Sequence, residues 1–265
     1  MPHNLPLNPC GINLYLCDTS INQQNILDFL SDHLHLLSPP EKQRFAKIKS
    51  LTSQRNYALG RIMIRNILAG FLQLAPTDIE ITISASGKPV LNQEIDYKTR
   101  IHFNLSHSHD CLVLAVCSSG EIGIDVEYTR RKIKADEILK HFFNYEEQIA
   151  YQKINAEEAQ RKFFFSLWTL KEALLKMTGD GLSYGLDKFF LTLDMPNQKI
   201  DLSLFSGTNT NTLYGATYNY RDDYIVSVFA QNINNPSIKR QVVNLLTYPS
   251  LEPLLKPMLY YETLA

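Results

Sequence analysis

The sequence lacks any long apolar run and carries almost no net charge. No stretch approaches the ~20 consecutive apolar residues of a membrane-spanning helix, and the formal net charge is -1. We therefore expect no membrane span, and the charge gives no argument for a nucleic-acid partner. The first 17 residues show no basic segment followed by an apolar core, so we expect no signal peptide and a cytoplasmic protein.

Cysteine is scarce, and the common glycine-rich phosphate motifs are absent. The four cysteines show no CxxC spacing. On one strand, Cys111 and Cys117 would lie about 20 Å apart at ~3.3 Å per residue, which is too far for a disulfide. The sequence contains neither a P-loop nor a glycine-rich dinucleotide fingerprint. Any bound phosphate must therefore be held by cationic side chains, by histidine or by a metal.

Composition and periodicity predict a packed α+β protein. Hydrophobic residues make up 45% and charged residues 20% of the 265 residues, which is typical of a globular domain. Helical spacing predicts a long helix over Ser53 to Leu74, preceded by a helix that starts at Ser38. Three strands are predicted between Ile101 and Glu127, and their short loops favour an antiparallel meander.

Two acidic residues alternate with apolar ones between Gly123 and Glu127. If this segment is a strand, Asp125 and Glu127 point to one side, and Ile124 and Val126 point to the other. A solvent-facing acidic pair on an edge strand is the ordinary alternative. Two adjacent like charges on a half-buried strand are costly without a counter-ion, and this favours a bound cation.

A second informative segment runs from Phe164 to Lys176 and predicts a largely buried helix. Trp168, Glu172 and Lys176 would share one face, four residues apart. The ordinary alternative is a surface salt bridge between Glu172 and Lys176, worth about 0.3 kcal/mol. Together with the strand pair, the helix would bring three carboxylates and a lysine to one point. Oxygen ligands of this kind suit magnesium, and magnesium with lysine suits phosphate chemistry.

These two segments resemble the two signature motifs of the Sfp-type 4′-phosphopantetheinyl transferases. Two further stretches, Gly87-Lys88-Pro89 and Phe103-Asn104-Leu105-Ser106-His107-Ser108, resemble the same family, in the family's order, over roughly residues 37 to 230. The resemblance implies an α+β fold of two similar halves related by a pseudo-twofold axis, with the active site between them. We accordingly divide the chain into residues 1–119, residues 120–244 and a C-terminal extension, residues 245–265.

The resemblance also implies the reaction. The family transfers 4′-phosphopantetheine from coenzyme A to a serine of an apo acyl- or peptidyl-carrier protein, which releases adenosine 3′,5′-bisphosphate. Asp125, Glu127 and Glu172 would hold Mg²⁺, and Glu172 would act as the general base. Lys176 would offset charge at the phosphates. Because the chain is long enough to build the whole site, we expect a monomer.

Coenzyme A would be held by a set of cationic and polar residues carried over from the family motifs. His107 would meet a phosphate and take part in catalysis, and Lys171 would be a second phosphate-contacting lysine. Asn56 stands where the family has an arginine, so Arg55 or Arg44 would bind the 3′-phosphate. The full predicted set is Arg44, Arg55, Lys88, Pro89, Ser106, His107, Lys171 and Lys176.

Several alternatives remain open at the level of sequence. The histidines at positions 102, 107 and 109 suggest a transition-metal site, although no cysteine joins them. The basic segment 130–134 would either steer an acidic carrier or form an ordinary solvated loop. Two other functions are compatible with the residues, namely a catalytically inactive coenzyme A-binding interaction protein and a metal-dependent nucleotide phosphohydrolase.

Overall fold

The computed structural model describes residues 11–20, 23–92, 100–179, 186, 189–194, 199–204, 213–231, 237–243, 251–252 and 256–262. The helices in this part of the chain are α1 (Gln23–His33), α2 (Pro39–Lys47), α3 (Leu51–Leu72), α4 (Ala135–Phe142), α5 (Tyr145–Gln152) and α6 (Glu157–Thr178). None of them combines the length and the apolar character needed to cross a bilayer.

The strands form two large sheets and one small hairpin. The first sheet has the order β12-β11-β1-β5-β4, the second has the order β6-β10-β9-β13-β8-β7, and β2 pairs with β3. Most neighbours are antiparallel, whereas β1 with β11 and β13 with β8 are parallel. The strand bounds are β1 Gly11–Asp18, β2 Ile81–Ile83, β3 Pro89–Leu91, β4 His102–Ser108, β5 Cys111–Cys117, β6 Ile122–Tyr128, β7 Phe189–Asp194, β8 Lys199–Leu204, β9 Leu213–Tyr220, β10 Tyr224–Gln231, β11 Ser237–Val243, β12 Leu251–Glu252 and β13 Lys256–Glu262.

The two large sheets pack face to face, and each carries one 22-residue helix on its outer face. The inner core contains residues from β1 and β5 together with residues from β6, β9 and β10. A second core lies between α3 and the outer face of β1 and β5. A third core lies between α6 and the outer face of β7, β9 and β10. This arrangement confirms the α+β class and the expected organisation in two helix-on-sheet halves.

The start of α2 is fixed by a capping box that also organises α3. Glu41 accepts a hydrogen bond from the Ser38 backbone N–H at 2.8 Å, as the Ser-Pro-Pro-Glu sequence predicts. The same carboxylate forms an ion pair with the buried Arg65 of α3, whose guanidinium also donates to the carbonyl oxygens of Pro76 and Ile79. One acidic residue therefore joins two helices and the segment that follows them.

Strand β6 and helix α6 make an unusually close backbone contact at Gly123. A Cβ atom at this position would lie 1.9 Å from the carbonyl oxygen of Ala173 and 2.4 Å from the backbone nitrogen of Met177. Only glycine permits this approach without moving the backbone. The contact sets the distance between the strand that carries Asp125 and Glu127 and the helix that carries Glu172 and Lys176.

The predicted three-stranded meander is wrong in its last strand. β4 and β5 form the expected hairpin, but β6 leaves that sheet and pairs with β10 in the second sheet. The short 118–121 loop crosses between sheets instead of closing a hairpin. β4 ends at Ser108, and the turn that follows it is made by His109, whose φ is 52°.

The last described strands return to both sheets. β11 lies beside β1 in the first sheet, and β13 lies between β9 and β8 in the second sheet. Residues 237–243 therefore pair with the N-terminal sheet, although they follow the second half in sequence. The predicted boundaries after residues 119 and 244 therefore stay a proposal.

The Gly123 contact generates a prediction about stability. We expect Gly123→Ala to lower the free energy of unfolding by at least about 3 kcal/mol, because the new Cβ must displace backbone atoms of α6. Gly87→Ala is the control, since Gly87 has a positive φ and no atom of the described residues lies within 4 Å of the added Cβ; it should cost only about 1 kcal/mol. Urea unfolding measures both variants, and equal losses would contradict the prediction.

Candidate active site

Helix α6 carries Glu172 and Lys176 on its half-buried face. Trp168, Glu172 and Lys176 are partly accessible, whereas most of the helix between Phe163 and Met177 is buried. Gly179 ends the helix in the left-handed conformation, with a φ of 78°. The helix therefore exposes a narrow stripe; at its C-terminal end Lys176 reaches β4 and β6, whereas Trp168 packs on the rings of Phe142 and Phe143.

Asp125 and Lys176 form the closest ion pair of the site. Lys176 Nζ lies 2.6 Å from Asp125 Oδ1, and Ser106 Oγ donates a hydrogen bond to the same oxygen at 2.8 Å. Lys176 also donates to Ser106 Oγ at 3.2 Å. Asp125 is only 5% exposed, so its charge depends on these two partners. The structure thus brings together three of the residues that the sequence predicted for the site.

Glu127 lies two residues farther along β6 and faces the same side. Ser108 Oγ donates to Glu127 Oε2 at 2.7 Å, and Arg131 donates to Oε1 at 2.8 Å. Burial raises the pKa of Glu127; the nearby Asp125 charge acts in the same direction, and the Ser108 hydrogen bond opposes it. Ile124 and Val126 point into the inner core, which confirms the predicted alternation.

Glu172 is electrostatically part of the same cluster. Its pKa is raised to about 6, chiefly by burial; Asp125 and Glu127 act in the same direction, and Lys176 opposes them. A carboxyl group with this pKa is ionised at neutral pH and is a stronger proton acceptor than an ordinary glutamate. This is the environment expected of a general base.

The fit of the cluster to a divalent cation rests on its donor atoms. Oδ2 of Asp125 is buried and accepts no hydrogen bond from any residue that the structure describes, and three carboxylates supply the hard oxygen ligands that magnesium prefers. Across the described ranges, no three histidine, cysteine, aspartate or glutamate side chains are arranged as a ready metal centre. Instead, Lys176 pairs with Asp125 and Arg131 pairs with Glu127. The two carboxylate side chains must therefore turn before they can ligate an ion.

A cleft of about 310 Å³ adjoins the cluster and lies between the two halves of the fold. It is lined by the 86–89 turn, by β4 and by the C-terminal part of α6, and the lining includes Lys88, Pro89, Glu172 and Lys176. A larger groove of about 390 Å³ lies between residues 133–137 and the start of α6, and none of the predicted site residues lines it. The smaller cleft is therefore the candidate active site.

Lys88 lines this cleft, whereas His107, at the end of β4, lies outside its lining. His107 is exposed; partial exclusion of water lowers its pKa, as does the Lys176 charge, and Asp125 opposes them. The neutral imidazole is therefore favoured, which suits a hydrogen bond better than an ion pair. Lys88 Nζ is held by Glu121 Oε2 and by the carbonyl oxygen of Ile122, both at 3.0 Å.

The prediction that Lys171 contacts phosphate is wrong for this structure. Its side chain is fully buried, and Nζ lies 2.7 Å from Glu147 Oε2 and 2.6 Å from the carbonyl oxygen of Leu186. Phe143 and Phe189 cover the ammonium group. Burial raises the pKa of Glu147, and the lysine charge acts against it. Lys171 therefore anchors α6 to α5 and β7 and does not line the cleft.

The two arginines predicted for the 3′-phosphate lie outside the lining of the cleft. Arg44 is exposed, with its guanidinium 5.7 Å from the centre of the Tyr57 ring. Arg55 forms an ion pair with Asp110 at 3.4 Å, in the turn after β4. Their role toward coenzyme A stays a prediction. No described histidine cluster supports the transition-metal alternative.

Several residues of the site were missed by the sequence analysis. Ser108 and Arg131 hold Glu127, and Glu121 holds both Lys88 and His102. Arg131 is therefore engaged at the site and is not a freely solvated cation of the basic segment. Ser108 had a usable signal, because it stands two residues from Ser106 on the same face of a strand.

The raised pKa of Glu172 generates a prediction about pH. Its folded-state pKa of about 6 lies above the ordinary value of 4.5 for a glutamate, so its contribution to stability falls as the pH rises through this window. With a chelator present, Glu172→Gln should be more stable than the parent protein above pH 6, by up to about 2 kcal/mol. Below about pH 3.5, where the carboxyl group is protonated in both the folded and the unfolded state, the two should be equal. A difference that does not change with pH would contradict this.

The buried Lys171–Glu147 pair generates a second prediction. Lys171→Met should lower the free energy of unfolding by about 3–5 kcal/mol, because it leaves a buried carboxylate without its cation. Adding Glu147→Gln should restore most of this loss, since neither side chain is then charged. Denaturant unfolding of both single variants and the double variant measures the coupling. Simple addition of the two single losses would show that the residues act independently.

Comparisons with known proteins agree with the geometry. A family model described as the 4′-phosphopantetheinyl transferase superfamily matches residues 121–229. A model of the N-terminal region of 4′-phosphopantetheinyl transferase matches residues 26–119. These two segments contain the residues that meet at the cleft.

Individual relatives carry the same description. The chain is 34% identical to the 4′-phosphopantetheinyl transferase HetI of a Nostoc species, over 59% of this chain and 73% of the relative. It is 29% identical to the transferase Sfp of Bacillus subtilis, over 83% of this chain and 91% of Sfp. It is 36% identical to psf-1 of Bacillus pumilus, over 57% of this chain and 62% of psf-1. The chain thus belongs to the 4′-phosphopantetheinyl transferase superfamily and is a transferase.

Proposed function

We propose that the enzyme transfers 4′-phosphopantetheine from coenzyme A to a serine hydroxyl of an apo acyl- or peptidyl-carrier protein. The reaction releases adenosine 3′,5′-bisphosphate and depends on Mg²⁺. The observation that carries the proposal is the cleft at the junction of the two halves, where Lys88, Glu172 and Lys176 meet. Their assembly at one place supports a site for a substrate with a pyrophosphate group and for a proton-transfer step.

The chemistry assigned to the chain begins with proton transfer. Glu172 accepts the proton of the carrier serine, and the serine oxygen forms a bond to the phosphorus on the pantetheine side of the pyrophosphate. The bond from that phosphorus to the bridging oxygen breaks, and adenosine 3′,5′-bisphosphate leaves with the electron pair. The raised pKa of Glu172 supports this role, since it brings the base closer to neutral pH.

The cations of the site stabilise charge on the phosphate oxygens. Lys176 is 31% exposed and lies at the cleft, so its ammonium group can leave Asp125 and donate to a phosphate. Lys88 stands on the opposite wall, in a turn stiffened by Pro89, and His107 can donate a neutral hydrogen bond. Bound Mg²⁺, held by Asp125, Glu127 and Glu172, would offset the charge of the pyrophosphate.

Both walls of the cleft come from a single chain, and this supports a monomeric enzyme. We further propose that the enzyme acts in the cytoplasm. The carrier is assigned by its chemistry alone, as a folded domain that presents an accessible serine at the open side of the cleft.

Intact-mass analysis of carrier proteins tests the proposal. The enzyme, coenzyme A and Mg²⁺ should add one phosphopantetheine group to an apo carrier, and a chelator should prevent the gain until Mg²⁺ is restored. Glu172→Gln should lower the rate at least about 100-fold, whereas Glu146→Gln, which changes an exposed carboxylate on α5, should keep the parental rate.

The same assay separates the competing functions. Release of adenosine 3′,5′-bisphosphate without any carrier would indicate a phosphohydrolase. Binding of coenzyme A without transfer to any member of a broad carrier panel would indicate an inactive binding protein. Full transfer activity in Glu172→Gln would remove the general-base assignment.

A further inference from the structure

β4 and β6 are edge strands of different sheets, and side chains replace the backbone ladder between them. Asn104, Ser106 and Ser108 stand at alternate positions of β4 and all reach toward β6. Asn104 Oδ1 accepts from the Ile124 backbone N–H at 2.9 Å, and Ser106 Oγ donates to Asp125 at 2.8 Å. We call these three residues the polar ladder. It joins the two halves of the fold and touches both acidic residues of β6.

Ser108 has the most constrained hydroxyl group of the polar ladder. Its Oγ accepts a hydrogen bond from the Tyr128 backbone N–H at 3.0 Å and donates its proton to Glu127 Oε2 at 2.7 Å. The backbone N–H fixes the position of the oxygen, and the donated proton then fixes the carboxylate. Hydrogen bonds to charged groups are short and strong, so this contact selects one orientation of the Glu127 side chain.

The other partner of Glu127 is less able to hold it in place. Arg131 donates to Glu127 Oε1, but the arginine side chain is 42% exposed, whereas that of Glu127 is 14% exposed. Exposed ion pairs are screened by water and contribute little. The orientation of the carboxylate therefore depends mainly on the half-buried hydroxyl of Ser108, which is itself held by the Tyr128 backbone N–H.

We propose that Ser108 is a positioning residue for Glu127, which it aims into the acidic cluster so that the cation can be bound. This inference rests on the proposed function, because it takes Glu127 as a ligand. Residues that orient metal ligands commonly set metal affinity as strongly as a ligand does, by 10- to 100-fold. Without the hydroxyl group, Glu127 turns outward with Arg131.

The single tryptophan of the chain provides a readout that does not depend on catalysis. Trp168 lies one helical turn before Glu172 on the same face of α6. Mn²⁺ occupies the same oxygen-rich sites as Mg²⁺ and quenches nearby indole fluorescence. Titration of the whole protein with Mn²⁺ therefore gives the affinity of the site directly.

The test compares three variants with the parent protein. Ser108→Ala should raise the Mn²⁺ concentration at half-quenching about 10-fold, and Ser108→Thr, which keeps the hydroxyl group, should restore it. Ser227→Ala is the matched control. Ser227 is fully buried on β10 directly opposite Asp125, and its hydroxyl bonds to Thr169 and Thr217 and not to a carboxylate. It should lower the melting temperature without changing the Mn²⁺ titration.

Each remaining outcome decides a specific point. Unchanged half-quenching in Ser108→Ala, or equal weakening in Ser108→Ala and Ser227→Ala, would overturn the positioning role. Failure of Ser108→Thr to restore the titration would do so as well, provided that variant melts like the parent protein. If the parent protein itself shows no quenching that Mg²⁺ can reverse, the metal assignment in the proposed function fails first.

Discussion

The close contact between β6 and α6 at Gly123 is the constraint on which the site depends. It brings a strand with two carboxylates to within side-chain reach of a helix that carries Glu172 and Lys176. A larger residue at position 123 would push the helix away, and Lys176 could then no longer reach Asp125. The contact is steric, but its consequence is electrostatic, because it concentrates negative charge in a place from which water is partly excluded.

The concentrated charge explains the other features of the site. Asp125 is almost completely buried and is stabilised by Lys176 and Ser106, while Glu127 is stabilised by Ser108 and Arg131. Burial raises the pKa of Glu172, and the Lys176 charge offsets this only in part. The cations of the chain thus neutralise only part of the negative charge of the cluster. Such a cluster destabilises the empty protein and, for the same reason, favours a cation and a proton acceptor.

Local patterns in the sequence were sufficient to predict which side chains of the candidate site share a face. Alternation placed Asp125 and Glu127 on one face of β6, and four-residue spacing placed Glu172 and Lys176 on one face of α6; the structure has both. Those patterns depend only on the geometry of a strand and a helix. The pairing of β6 with β10 was missed, because a short loop after β5 favours a hairpin, and only the partner 100 residues later shows otherwise. The burial of Lys171 was missed for the same reason, because its partner Glu147 lies on another helix.

The two lysines that flank Glu172 show how one helix separates structure from chemistry. Lys171 is turned into the core, where an ion pair, a carbonyl oxygen and two aromatic rings hold its ammonium group. Lys176 lies on the accessible stripe, where it forms an ion pair with Asp125; in the proposed reaction, a bond to a phosphate replaces this ion pair. The buried lysine fixes the rotation of α6, and that rotation determines which side chains face β6. Lys171 therefore supports the site from behind the helix, and Lys176 is left free to move within it.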